Sequence, residues 1–336
     1  MVRLERQRKG KEIMEKSSPV ITKLDKPVLT KHDLQYSSEL VFNAGVCKAD
    51  GRYVMVFRND YGAFNGSKFE GTNLGIAFSN DGIDWEVAPE PVITPCGGEI
   101  TRVYDPRLTA TDGEIIICFA CDTKHGLMGG VGRLRDFREI EIISLLPPDN
   151  RNLALLPEKV NGNYVLLERP MPVYSRGIDR FDMWVCESPD LVHWGNHRLI
   201  MGVEDVTFAD NKIGPAAPPV KTPAGWLTTF HAVEIDPSRG KNGWEDRWQK
   251  IYRAGIMLLD LDDPSKITGK YEQPLIVCDR DYELEGGFRK DVIFPGGMIL
   301  EDSGEVKIYY GASDTVECLA TADVNELINL CTPYKK

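Results

Sequence analysis

An aspartate set between two arginines and followed by a proline is the arrangement in this chain best suited to moving a proton. It occurs in Arg102-Val103-Tyr104-Asp105-Pro106-Arg107. Pro106 disfavours the helical region for Asp105 and keeps it in an extended or turn geometry. A carboxyl placed in this way can act as a general acid, or it can be a structural partner of Arg107. A second set is cationic: Arg151 in NRNLALLPEK, Arg169 in VLLERPMP, Lys212 in DNKIGPAAPP and His231 in LTTFHAV interrupt apolar or turn segments. Such groups are costly to bury unless an anion meets them, either a carboxylate or a bound phosphate. His231 alone reads first as a hydrogen-bonded core residue, the common state of a single histidine on a strand. A third set, Asn43, Arg58, Asn59 and Asp314, stands at strand ends in VFNAGV, VFRNDYG and YYGASDT and has the side-chain types that bind sugar hydroxyls.

Other patterns carry less chemistry. Cys118-x-x-Cys121 lacks a second pair or histidines at zinc spacing, so no metal site is expected. The glycines from Gly126 to Gly132 lack the strand–turn–helix context of a dinucleotide site. Asp260-x-Asp262-Asp263 has no glutamate at the offset of a calcium loop. Trp85, Trp184 and Trp194 suit packing between repeated units better than sugar stacking.

The elements that must position these residues are strands. Short Val-, Ile-, Tyr- and Phe-rich runs such as YVMVFRN, EIIICFA, YVLLERP, WLTTFHAV and VKIYYGAS are punctuated by Gly, Asp, Asn and Pro. Helical periodicity is confined to residues 3–16 and the tail DVNELINL, so the body is expected to be all-β. NLGIAFSNDGIDW (73–85) and DMWVCESPDLVHW (182–194) both run from a strand into Ser-x-Asp-x-x-x-Trp, with looser echoes in IMLLDLDDPSK and CLATADVNEL. Repeated strand-and-Asp-turn units of this kind indicate propeller blades, and about 300 residues at roughly 40–60 per blade make five to seven of them.

A formal net charge of −11 argues against a nucleic-acid surface, so any anion must meet a local basic pocket. The first 27 residues are charged throughout and carry no apolar signal segment, and no later run reaches membrane-spanning length. The eight cysteines sit mostly in apolar runs and suit reduced thiols. Together these predict a cytoplasmic protein without a membrane partner.

The segments VYDPRLT, NRNLALLPEKVNGNYVLLERP, KIGPAAPPVKTPAGWLTTFHAV, AGIMLLDLDDPSKI, DVIFPGG and YYGASDT, in this order over residues 38–325, resemble glycoside hydrolase family 130, the β-mannoside phosphorylases and mannosidases. The resemblance implies a five-bladed β-propeller, residues 31–336, behind an N-terminal arm, residues 1–30, that packs in a homo-oligomer. It also implies that Asp105 is the general acid, relaying its proton through the mannose 3-hydroxyl. Arg151, Arg169, Lys212 and His231 would bind phosphate, and Asn43, Arg58, Asn59 and Asp314 would bind sugar. No cofactor is implied, inorganic phosphate being a co-substrate. An inverting hydrolase needs a base to activate water, whereas phosphate arrives as an anionic nucleophile, so one acid and a cationic cradle suffice. The expected reaction is phosphorolysis of β-1,4-mannooligosaccharides to α-mannose 1-phosphate. The alternatives are β-1,4-mannosyl-N-acetylglucosamine as substrate, a β-mannosidase using water, and a glycan-binding propeller without activity. Tyr104 stands where some branches of the family have Glu, which places the chain nearer the mannooligosaccharide branch than the mannosylglucose one.

Overall fold

Among the described residues twenty-two strands alternate with tight turns, and most pair antiparallel with the next in sequence. The computed structural model describes residues 15–66, 68–172, 177, 179–239 and 249–334. After β1 (Thr22–Lys23), the first blade is β2 (Leu40–Ala49), β3 (Arg52–Tyr61), β4 (Gly71–Ser79) and β5 (Glu86–Val87). The second is β6 (Ile100–Thr111), β7 (Glu114–Thr123), β8 (Gly126–Arg135) and β9 (Glu139–Leu145). The third is β10 (Asn150–Leu155), β11 (Tyr164–Pro170), β12 (Met183–Ser188) and β13 (Gly195–Met201). The fourth holds β14 (Lys212–Pro215), β15 (Val220–Thr222), β16 (Gly225–Ile235), β17 (Lys250–Leu259) and β18 (Ile267–Lys270). The fifth holds β19 (Ile293–Leu300), β20 (Glu305–Ala312) and β21 (Val316–Asp323). Helix α1 (Asp281–Leu284) precedes it, α2 (Val324–Leu330) follows it, and β22 (Thr332–Pro333) returns to pair with β18. The five-bladed propeller expected from the resemblance is the fold observed.

Alternating side chains give each blade two apolar faces, and neither can be buried within the blade itself. Five hydrophobic layers solve this, one between each pair of neighbours. Leu108 and Ile117 meet Val54 and Ile76 between the first and second blades, for instance, and Phe230 and Trp226 meet Leu167 and Val185 between the third and fourth. Tyr309 of the fifth blade packs edge-on against Trp85 of the first, closing the ring. Trp194 likewise donates to Ser144 Oγ of the second blade at 3.0 Å, so both tryptophans serve inter-blade packing as expected. Near the axis the first strands come into backbone contact. A Cβ on Gly296 of β19 would collide with the Ala44 carbonyl of β2, so only glycine lets these strands approach.

The Asp turns seen in the sequence occupy one blade position. Asp81 and Asp190, each after a third strand, accept backbone N–H bonds from the residues two and three positions on. Asp260 does the same after β17, and Asp323 does so at the start of α2, which forms where helical periodicity was read. The aspartates rebuild a turn with their own side chains, which is why the motif survives as sequence.

The helix read over residues 3–16 lies almost wholly outside the described residues. The boundary at residue 30 does not hold for the described part of the arm. β1 pairs with β21 as the outermost strand of the fifth blade, Leu29 is buried, and Lys23 is clamped under that blade by Glu283 at 2.7 Å and Asp279 at 2.8 Å. The fifth blade has only three strands of its own, and the N-terminal strand supplies the fourth. No helix among the described residues is long and apolar enough to cross a membrane.

Candidate active site

The first strands of three blades carry the same irregularity. In β2 residues 43–44 oppose one residue of β3, in β6 residues 105–106 oppose one of β7, and in β10 residues 152–153 oppose one of β11. The first residue of each bulge is Asn43, Asp105 or Asn152, with φ of 54°, 51° and 61°. Left-handed backbone is uncommon outside glycine and is best tolerated by Asn and Asp. A bulge of this kind re-aims a side chain out of the ladder. In these three blades the residue paired with the position before the bulge lies on the second strand: Arg58, Ala120 and Arg169. The propeller thus places one set of bulge residues and one set of second-strand residues around the same end of the channel.

On one side of the pocket Asp105 Oδ1 accepts from Asn43 Nδ2 at 3.0 Å and Arg58 Nη1 at 3.3 Å. Arg58 is held in turn by Asp60 through a fork at 3.0 and 2.6 Å. Burial pushes the Asp105 carboxyl up, but Arg58, the Asn43 amide, Arg151 and Arg107 outweigh it and hold the group below the usual carboxylate range. Asp314, which accepts from Arg289 Nη1 at 3.0 Å, is dominated by burial and is raised. Two carboxyl groups in one pocket are therefore driven apart, the condition under which one works protonated and the other ionised.

On the other side lie the cations. Arg151 and Arg169 are cross-strand partners, and Asn150 Nδ2 beside them donates to the buried Glu168 at 2.6 Å, bracing the strand pair from behind. Arg169 is 1% exposed and has no carboxylate among the described residues hydrogen-bonded or ion-paired to it; its Nη1 lies 3.0 Å from His231 Nε2. His231 Nδ1 lies 3.1 Å from the Pro215 carbonyl, which only accepts, so Nδ1 bears the proton and Nε2 accepts from Arg169. Burial, Arg169 and Lys212 all press the imidazole toward this neutral form. His231 thus aims Arg169 and is not a fourth cation. A Cβ on Gly214 would lie 2.5 Å from His231 Cε1 and 2.8 Å from Arg169 Cδ, so glycine leaves the room both side chains occupy. Lys212 is buried between the rings of Phe181 and Tyr252, with Nζ 5.6 and 5.2 Å from their centres. Burial first, then Arg169, Lys250 and Arg151, push its amine well down.

Eight of the nine sequence-derived residues meet at this end of the channel. Asn59 does not. It follows Arg58 on β3, points to the opposite face, and donates to the Ser37 carbonyl and Asn73 Oδ1, each at 3.0 Å. Four residues of the pocket escaped the sequence reading: Asn152, Tyr252, Lys250 and Arg289. Asn152 could have been found by aligning FNAG, YDPR and RNLA, whereas nothing local marks the other three. Cys118 and Cys121 are both buried, and their odd separation puts them on opposite faces of β7. Glu168, Cys186 and His197 bring potential metal-ligating atoms within 4.8 Å of one another. Glu168 already accepts from His197 Nδ1 and Asn150, so the group reads as a hydrogen-bonded brace. A cavity of about 760 Å³ near Asp50, Asp112 and Asp136 lies at the opposite end of the blades and holds none of these groups.

Known proteins resemble this chain along nearly its whole length. Residues 12–333 match the glycoside hydrolase family 130 profile, described as β-1,4-mannooligosaccharide phosphorylase. A β-1,4-mannooligosaccharide phosphorylase of Ruminococcus albus is 29% identical over 92% of this chain and 90% of its own length. A β-1,2-mannobiose phosphorylase of a Thermoanaerobacter species is 33% identical over 87% of this chain and 93% of its own length. The fold matches the β-1,2-mannobiose phosphorylase of Listeria innocua solved with β-1,2-mannobiose, at a TM-score of 0.79 and 23% identity over 92% of this chain and 98% of that one. A chain matched over nearly its whole length by one family profile, and by relatives of its own size, belongs to glycoside hydrolase family 130.

Proposed function

We propose that this enzyme cleaves β-1,4-mannosidic bonds of mannooligosaccharides with inorganic phosphate and releases α-mannose 1-phosphate. One observation carries the proposal. Arg169 Nε and Nη2 and Arg151 Nε are buried donors without an acceptor among the described residues, in a pocket where Lys212 stands beside them. Buried guanidinium donors are costly to leave without an acceptor, and a phosphate presents paired oxygens that match the arginine fork and offsets its charge. Water, the nucleophile of a hydrolase, would leave that charge uncompensated.

In the proposed reaction phosphate oxygen attacks the anomeric carbon from the face opposite the leaving sugar. The glycosidic C–O bond breaks, and the departing oxygen takes a proton that Asp105 supplies through the mannose 3-hydroxyl. The ring of Asn43, Arg58 and Asp314 would hold the mannosyl unit. Asp105 is held ionised in the free pocket, so it must gain its proton in the complex. Arg151 is among the charges that keep Asp105 ionised, and it is also a proposed phosphate ligand. Bound phosphate would offset that charge and let the carboxyl rise toward protonation.

β-1,2-linked mannobiose is the second reading, favoured by the 33% identical relative named for that substrate. Incubation with phosphate and either β-1,4- or β-1,2-mannobiose separates the two. Faster release of mannose 1-phosphate from the β-1,4 isomer supports the first reading, and faster release from the β-1,2 isomer replaces it with the second.

A further inference from the structure

Glu317 lies on β21 of the fifth blade, wholly buried, and its carboxyl group reaches across the seam into the first blade. Its Oε2 accepts from the Ala44 N–H at 3.1 Å, and its Oε1 has no partner among the described residues. Ala44 is the second residue of the β2 bulge, whose first residue, Asn43, donates to Asp105. A bulge takes backbone groups out of the ladder, and a buried N–H then needs another acceptor. Glu317 is that acceptor for Ala44. Glycines let the neighbouring strands close on the same bulge. A Cβ on Gly311, the cross-strand partner of Glu317, would lie 2.5 Å from Asn43 Oδ1 and 2.8 Å from Asn43 N, and one on Gly45 would lie 2.7 Å from Arg107 Cα. The main chain of Glu317 is held in turn by the N-terminal arm, where Leu29 exchanges hydrogen bonds with it at 3.0 and 3.2 Å.

The β6 side of the site is fixed separately. Arg107 donates to the carbonyl of Pro106, the second residue of that bulge, and to the Ala216 carbonyl, each at 2.7 Å. How Asn43 meets Asp105 therefore depends on what holds the β2 bulge. We propose that Glu317 is a positioning residue for the general acid: by holding the Ala44 N–H it sets the direction from which Asn43 meets the Asp105 carboxyl, and so aims that carboxyl at the sugar. The proposal rests on the assignment of Asp105 as the acid and adds to it a residue of another blade.

Glu317→Leu, which keeps the bulk and removes the acceptor, should lower kcat about ten- to a hundredfold and leave the phosphate KM within about twofold of wild type. The pH profile of kcat at saturating phosphate and mannoside separates aiming from packing. The Asn43 amide favours the ionised form of Asp105, so displacing it raises the carboxyl's pKa. The limb on which activity falls with rising pH should then move up by about one pH unit, the scale of one hydrogen bond to a charged group. Arg58, Arg107, Arg151, Arg169, Asp314 and the Tyr104 phenol also face Asp105 and are left in place. Glu317→Gln keeps an oxygen for the Ala44 N–H and should retain most of the wild-type kcat and the wild-type profile. Gly311→Ala, which presses on Asn43 from β20, should reproduce the shift, and it decides the matter if the leucine variant fails to fold. A folded Glu317→Leu, or Gly311→Ala, with wild-type kcat and an unmoved limb overturns the proposal, as does a glutamine variant as impaired as the leucine one. Wild-type kcat in Asp105→Asn would remove the acid assignment beneath it, which is a distinguishable result.

Discussion

Gly214→Ala adds one methyl group at a position that would touch no substrate, yet it should weaken phosphate use sharply. The new Cβ would lie 2.5 Å from His231 Cε1, 3.1 Å from His231 Nε2 and 2.8 Å from Arg169 Cδ. Neither neighbour can yield cheaply. His231 is fixed by the Pro215 carbonyl at 3.1 Å and by the Phe294 ring, 4.8 Å between centres, and Arg169 is contacted in mid-chain, not at its flexible end. Overpacking of this kind costs about 1–3 kcal/mol, and losing the alignment of a hydrogen bond to a charged group about 1.5–3 kcal/mol. At 1.4 kcal/mol per factor of ten, the phosphate KM should rise about ten- to a hundredfold, and the melting temperature should fall by a few degrees. Initial rates of mannose 1-phosphate formation against phosphate, at saturating mannoside, measure the first, and a circular-dichroism melt measures the second. A phosphate KM within about twofold of wild type in a folded protein would refute the placement of His231 and Arg169 in the nucleophile site.

Two further substitutions test the electrostatics. Glu317 accepts from the Ala44 N–H at 3.1 Å, and burial pushes its carboxyl from 4.5 to about 8 although that N–H and Arg107 pull it down. The folded state therefore keeps a proton that the unfolded chain gives up above its own pKa. This stability is fully present below pH 4.5 and is lost as pH rises through about 8, by at most about 1.4 kcal/mol per pH unit. Glu317→Gln should flatten that slope in denaturant titrations at pH 5, 6.5 and 8; an unchanged slope would mean that Glu317 is ionised in the fold. Asp105→Asn should lower kcat about 10²- to 10⁴-fold, the range for loss of a general acid, whereas Asp314→Asn should act mainly on mannoside KM. The reverse pattern would exchange the two roles, with the raised carboxyl of Asp314 serving as the acid.

The parts of this site legible in sequence are those in which one local segment carries the whole signal. The Asp turns could be read because Asp81 and Asp190 bond to residues only two and three positions away. Asp105 could be read because its proline and arginines are adjacent in sequence. Arg58 and Asn59 mark where that legibility ends. Both are polar neighbours on one strand, and only the bulge and register of β2 against β3 decide that Arg58 faces Asp105 while Asn59 faces Ser37. Lys250, Tyr252 and Arg289 join the pocket through pairing between the fourth blade's strands and closure of the fifth, and no local pattern encodes either. The arm was set apart from the propeller for the same reason: β1 finds its partner, β21, almost three hundred positions later in the chain.

The central claim is that phosphate, and not water, attacks the mannosidic bond. Purified protein incubated with mannobiose, with and without inorganic phosphate, should form mannose 1-phosphate only when phosphate is present. Free mannose released at the same rate in both conditions would contradict the claim and leave the buried donors of Arg151 and Arg169 serving some other anion.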